Sequence, residues 1–169
     1  MKTVILFRHG KSDWDADFDS DHERPINERG VRSARRMGRF LAAAGQVPDV
    51  AVTSSAVRAR TTLELAAEAG EWDCPIEVTD DLYSTHTDAV LARIRSGDDA
   101  IDSVLLAGHE PVWSDLAGEL IGRAQVRMST ATMVRIDFAS AKWRDVKAGG
   151  GTLMWLVTPR LLEGLVDDD

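Results

Sequence analysis

The chain has 169 residues, and its 28 Asp and Glu outweigh 20 Lys and Arg to leave a formal net charge of −8. Hydrophobic residues at 44% and charged residues at 28% exclude disordered, collagen-like and membrane-embedded classes, and the length suits one domain, residues 1–169, with its own core. The charge disfavours a nucleic-acid surface, which needs a positive stripe, and at first sight disfavours an anionic substrate too.

The lone cysteine, Cys74, excludes a disulfide framework within the chain and a thiolate metal cluster. The longest early apolar stretch, Val4 to Phe7, is too short for a signal sequence or a membrane span. A cytoplasmic location without membrane association is therefore expected.

In chain order, Thr3 to Phe7 is a β-branched and apolar run that predicts a strand buried on both faces. Arg8-His9-Gly10 follows at its end, with glycine expected to permit a sharp turn, and Lys11 and Ser12 come next as candidates to touch a ligand. From Glu28 to Ala44, apolar residues recur at Val31, Ala34, Met37, Leu41 and Ala44, which predicts a helix stopped by Gly45. Its Arg32, Arg35, Arg36 and Arg39 read as a solvated face. Val50 to Thr53 predicts a second strand. A helix over Val57 to Ala69 follows, with Ser54 or Ser55 as N-cap, Arg58 in its first turn and Gly70 as its stop.

Asp88 to Ile94 predicts a third helix. A strand over Ser103 to Ala107 then runs into Gly108-His109-Glu110-Pro111 and a helix to Ile121. Met133 to Phe138 alternates as a strand with one solvated face, and Leu153 to Val157 is a further strand. Gly149-Gly150-Gly151 before it reads as a turn, since the Lys-Ser/Thr of a phosphate-binding loop is missing. The five tryptophans are expected as core or rim packing, His22 and His86 as solvated loop histidines, and Val166 to Asp169 as an acidic tail. The alternation predicts an α/β fold: a three-layer α/β/α sandwich with a mostly parallel sheet and an antiparallel C-terminal hairpin.

In open α/β sheets, ligands bind beyond the carboxyl ends of the strands. Three such ends here offer Arg8 with His9, then Arg58, then His109. Guanidinium forks match phosphoryl oxygens, helix N-termini add N–H donors, and nearby positive charge keeps an imidazole neutral and nucleophilic. The pattern points to phosphate chemistry.

The sequence resembles the histidine phosphatase superfamily, which also holds the cofactor-dependent phosphoglycerate mutases, and within it the small SixA-type phosphohistidine phosphatases. The likeness rests on Arg8-His9-Gly10, the Arg24-to-Gly30 segment, Ser54-to-Thr62 and Gly108-His109-Glu110-Pro111, in family order. It implies a phosphoglycerate mutase-like fold, His9 as a transiently phosphorylated nucleophile, and Arg8, Arg58 and His109 as ligands of the phosphoryl group. It implies neither metal nor other cofactor. Mutases and many phosphomonoesterases of the superfamily carry an acidic Glu after the third strand. Here Asp80-Asp81-Leu82-Tyr83-Ser84-Thr85-His86 stands in that region, with Tyr83 near the Glu position and Asp81, Tyr83 or His86 as alternative acids. Tyr83 and His86 join Lys11 and Ser12 as candidate substrate contacts. A phosphohistidine needs less acid assistance than an alkoxide, so a phosphorylated protein is the expected partner. The alternatives are a phosphatase for a small phosphometabolite or nucleotide, or a phosphate-binding module without catalysis.

Overall fold

A computed structural model describes residues 1–166; Asp167 to Asp169 of the expected acidic tail lie outside the described residues. Strand β1 (Lys2–Arg8) is the Thr3-to-Phe7 run lengthened by one residue at each end. Val4 and Leu6 pack into one core, Ile5 and Phe7 into the other, and all four are at most 1% exposed. An unbroken apolar run is what a strand covered on both faces requires.

Around it stand β2 (Val50–Ser54), β3 (Ile76–Thr79), β4 (Ser103–Gly108), β5 (Met133–Phe138) and β6 (Gly151–Val157). The six form one sheet in the order β3-β2-β4-β1-β5-β6. The first four of that order run parallel, and β5 and β6 form the expected antiparallel hairpin against β1.

Helices α1 (Glu28–Ala43) and α2 (Val57–Ala69) cover one face, where Met37, Leu41, Leu63 and Ala66 meet Ile5, Phe7, Ala51 and Leu105. Helices α3 (Thr87–Arg95) and α4 (Val112–Leu120) cover the other, where Val90, Ile94, Trp113 and Leu116 meet Val4, Leu6, Val52 and Leu106. This is the three-layer α/β/α sandwich expected from the alternation of strands and helices. The chain winds outward from β1 over one face and returns over the other, so its direction reverses between β1 and β4. Arg8 pairs with Gly108 and Thr53 with Ala107, which sets the carboxyl ends of β1, β4 and β2 side by side. Among the described residues, no helix is long and apolar enough to cross a membrane.

Five expectations need correction. Strand β5 has no solvated face: every residue is buried except Arg135, which is half-buried and ion-paired with the buried Asp137. Strand β3 was not foreseen: it is a four-residue edge strand, and its Ile76 and Val78 are 37% and 48% exposed, so no buried run announces it. Helix α2 is not capped by Ser54 or Ser55; Ala56 is the N-cap residue, and the Ser54 hydroxyl accepts only a long bond from the Ala56 N–H (3.3 Å). Arg36 is not solvated but 6% exposed, donating to the Pro159 carbonyl (3.0 Å) under the turn Pro159–Leu162. His22 is half-buried and shares a hydrogen bond with the Ser55 hydroxyl (2.9 Å).

The close approach of α1 to α2 has a specific cause. A Cβ on Gly38 would overlap the Ala66 carbonyl of the facing helix. Helix propensity alone favours alanine over glycine by about 1 kcal/mol. Overpacking opposes it, and Gly38→Ala is expected to destabilise the protein by about 2 kcal/mol, read as a lowered urea midpoint. A raised midpoint would show that the helices separate freely.

Candidate active site

The residue after β1 is held by three segments at once. The His9 N–H donates to the Gly108 carbonyl and the His9 carbonyl accepts from the Ala131 N–H, each at 3.0 Å. The Gly10 N–H donates to the Thr62 hydroxyl (2.8 Å), which donates to the Arg58 carbonyl (2.6 Å), tying the end of β1 to the first turn of α2. The glycine is needed for space rather than for a left-handed backbone. A Cβ on Gly10 would stand 3.0 Å from the Gly30 carbonyl oxygen, and one on Gly30 would stand 2.6 Å from that of Lys11.

The segment after Gly10 then pairs with the chain entering α1. Asp13 N–H donates to the Pro25 carbonyl (2.9 Å), Asn27 N–H to the Lys11 carbonyl (2.8 Å), and Ser12 bridges to Ile26. That pairing delivers Arg24, which is 7% exposed, to the same place.

The result is a cavity of about 240 Å³. Arg8, His9, Arg58 and His109 line it, together with Lys11, Ser12, Trp14, Arg24, Glu110 and Thr130. The four residues expected from the strand ends are thus together, and Lys11 and Ser12 are with them. Tyr83 and His86 do not line it. Tyr83 stands beside it, its ring edge-on to His109 at 5.8 Å, while His86 is exposed at the start of α3. Arg24, Trp14 and Thr130 were not foreseen as pocket residues. Arg24 lay within a segment already conspicuous, but loop pairing rather than a strand end brings it in.

Electrostatics set the state of the two imidazoles. Burial first, then the Arg58, Arg8 and Arg24 guanidiniums, push His9 from 6.5 down to about 4, against the raising effect of its bond to Gly10. Its Nδ1–H donates to the Gly10 carbonyl (2.7 Å), so the neutral ring presents a free lone pair on Nε2. Burial, His9 and Arg58 push His109 down to about 3. His109 Nε2 shares a hydrogen bond with the Ser54 hydroxyl (2.8 Å), and the two rings stand 5.2 Å apart.

Asp21 is the counterion. One carboxylate oxygen accepts from Arg24 (2.9 Å), and the other accepts from Arg58 (3.0 Å) and the Tyr83 hydroxyl (3.0 Å). The Arg24 bond, with Tyr83 and Arg58 behind it, holds this carboxyl at about 2. Burial and Asp21 raise the Tyr83 hydroxyl above its ordinary value. Both Glu110 oxygens accept from Ser114, one from its N–H (3.0 Å) and one from its hydroxyl (2.6 Å).

Five buried polar side-chain atoms among the described residues have no hydrogen-bond partner: Arg8 Nε, Ser12 Oγ, Arg24 Nε, Arg58 Nε and His109 Nδ1. All five belong to residues of this one cavity. Orphaned buried donors are costly, so their concentration marks a place built for an acceptor-rich ligand. Among the described residues, no group of His, Cys, Asp and Glu is arranged to hold a metal ion.

Comparison with known proteins agrees with this chemistry. A family model described as the histidine phosphatase superfamily (branch 1) matches residues 4–90. A protein of Mycobacterium tuberculosis (strain ATCC 25618 / H37Rv) is 32% identical over 162 residues, covering 90% of this chain and 99% of its own. Among solved structures, the protein histidine phosphatase SixA complexed with tungstate is similar at a TM-score of 0.81 and 25% identity, over 95% of this chain and 99% of that one. A protein of Nakamurella multipartitia assigned to the SixA phosphohistidine phosphatases is similar at a TM-score of 0.82 and 25% identity, over 94% of this chain and 96% of that one.

The lowered imidazoles make a signed prediction. As pH falls below 6.5 the unfolded chain takes up two protons that the folded chain refuses until about 4 at His9 and about 3 at His109. Their effect on stability is absent above about 6.5 and becomes increasingly unfavourable as pH falls through that window. Imidazole NMR titration is expected to find both rings neutral at pH 6. Protonation of either ring near 6.5 would contradict their burial.

Proposed function

The chain belongs to the histidine phosphatase superfamily, and we propose that it is a phosphatase working through a phosphohistidine on His9, with phosphohistidine in a partner protein as its substrate. One observation carries this reading. No carboxylic acid or imidazolium stands at the pocket to protonate a departing alkoxide: Asp21 is ionised, both Glu110 oxygens are taken by Ser114, and His9 and His109 are neutral. The Tyr83 proton is committed to Asp21. Asp81 and His86, the other candidate acids, are exposed and outside the cavity. General acid catalysis typically contributes 10²–10⁴-fold, so a site without it favours a substrate that needs none. Phosphohistidine is such a substrate, because its imidazole leaves as a neutral ring when the other nitrogen carries a proton.

The steps follow from the tautomer. The Nε2 lone pair of His9 attacks phosphorus, the P–N bond to the substrate imidazole breaks, and that imidazole takes the bonding pair. Arg8, Arg24 and Arg58 bind the equatorial oxygens and neutralise their charge. With the Ser54 hydroxyl donating to Nε2 of His109, the orphaned Nδ1 carries the proton and becomes a further donor. The phosphorylated His9 is cationic, its Nδ1–H still on the Gly10 carbonyl. It is therefore itself a good leaving group. Water attacks phosphorus, the P–Nε2 bond breaks, His9 returns neutral, and the water proton leaves with inorganic phosphate or solvent.

The guanidiniums supply the positive charge in this scheme and no step calls on a metal. That a similar SixA protein was solved in complex with tungstate, an oxyanion, supports a phosphoryl-like ligand for this chain.

Replacing His9 by Ala is expected to cut turnover by roughly 10³-fold or more, and Arg24→Ala to lower kcat/KM by roughly 10²-fold. Label from a phosphorylated substrate should be trapped on the wild-type protein in an acid-labile form, and chelation by EDTA should leave the rate unchanged. Acid-stable label, or full activity in His9→Ala, would overturn the mechanism. A strong preference for one sugar phosphate over phosphoramidate and phosphohistidine protein would overturn the substrate.

A further inference from the structure

We propose that an arginine-lined groove beside the phosphoryl pocket docks a carboxylate-rich segment of the phosphorylated protein, an assignment that rests on the protein-phosphohistidine reading above. The groove has a volume of about 430 Å³. Arg29, Arg32 and Arg36 of α1 form one side, and Arg160 and Glu163 follow from the C-terminal turn. Thr130 lines both this groove and the phosphoryl pocket, so the groove adjoins the cavity that holds His9.

Among the described residues, four guanidiniums and one carboxylate line this space, in a chain whose net charge is −8. Arg36 is the built part of the wall. Its side chain is 8% exposed, donates to the Pro159 carbonyl (3.0 Å), and lies 3.5 Å from the Glu163 carboxylate. That contact displays the chemistry the groove accepts: a carboxylate borne on a polypeptide, set against a guanidinium.

Arg29 and Arg32 are exposed, and among the described residues Arg32 makes a long ion pair at 3.9 Å with the exposed Glu28. Exposed pairs of that kind are worth little, so an incoming carboxylate displaces them at small cost.

The layout distinguishes a peptide from a second phosphate. Arg29, Arg32 and Arg36 are spaced three and four residues apart, which sets them on one face of α1 over about 10 Å of helix. A phosphate is gripped by donors that converge, as they do around His9. A row of this length suits carboxylates distributed along several residues. Exposed charges across an interface act mainly on encounter and partner choice, so the effect belongs in KM and in salt dependence.

The test compares two histidine-phosphorylated peptides, alike except that one carries aspartates and the other lysines beyond the phosphorylated residue. Phosphoramidate, which is too small to reach the groove, is the control for the catalytic pocket. The wild-type protein is expected to show a KM about tenfold lower for the aspartate peptide, a difference that shrinks with added salt. The exposed-residue variant Arg29→Glu/Arg32→Glu/Arg160→Glu should erase or invert that preference and leave phosphoramidate turnover unchanged. Equal KM values in the wild type would overturn the docking site. So would a variant whose loss extends equally to phosphoramidate, or one that weakens only a bisphosphorylated sugar, which would make the groove a second phosphate subsite. Turnover of phosphoramidate but of neither peptide would remove the phosphohistidine reading itself, and the docking site with it.

Discussion

Burying an imidazole among guanidiniums is the constraint around which this molecule is arranged. A histidine placed at a strand end in water is half-protonated near neutrality and useless as a nucleophile in that form. Here, 8% exposure and the charges of Arg58, Arg8 and Arg24 hold His9 neutral, and the Gly10 carbonyl decides which nitrogen keeps the proton. Each of those partners needs a different piece of the fold. Gly10 lies against the Gly30 backbone only because it has no side chain, Arg58 is tied by Thr62 to the Gly10 N–H, and Arg24 arrives through the pairing of Lys11–Asp13 with Pro25–Asn27. The cost is a set of orphaned donors, and the sheet and its two helical layers must hold them in place.

Asp21 keeps that charge cluster compatible with folding. The buried Arg24 and Arg58 and the half-buried Arg8, set around neutral imidazoles, would repel one another without a counterion. Asp21 joins Arg24 to Arg58 and uses Tyr83 to fix its own orientation. Its segment is acidic at every second residue from Asp13 to Asp21. The net charge of −8 therefore describes the surface, and the pocket has the opposite sign. A bulk charge does not decide against an anionic substrate when the cations are gathered at one cavity.

What was legible in the sequence is what a strand or helix period reports. Arg8, His9, Arg58 and His109 follow apolar runs or open a helix, and the parallel register makes their neighbourhood a consequence of sheet order. Arg24 and Thr130 escaped because loops meeting loops bring them in, and no period records such a meeting. Arg36 looked solvated because its three neighbours in the arginine run occupy a polar face. The turn at Pro159, more than a hundred residues later, is what buries it. Strand β3 is too short and too exposed to write an apolar signature, and its pairing with β2 alone makes it a strand.

The two signals of specificity lie at different distances from the reacting phosphorus. On the proposed function, selection at the pocket is by leaving group: a site in which Asp21 is ionised and both imidazoles are neutral suits a bond that breaks without a donated proton. That criterion is chemical, and any accessible N–P bond satisfies it, phosphoramidate included. Choosing one protein among several that carry phosphohistidine needs contacts beyond the imidazole, where the phosphoryl pocket has no reach. The arginines of α1 and of the C-terminal turn stand where such contacts are possible, joined to the pocket through Thr130. In the proposed division of tasks, the residues around His9 are fixed by one chemistry, while the groove is free to match the charge pattern of a particular partner.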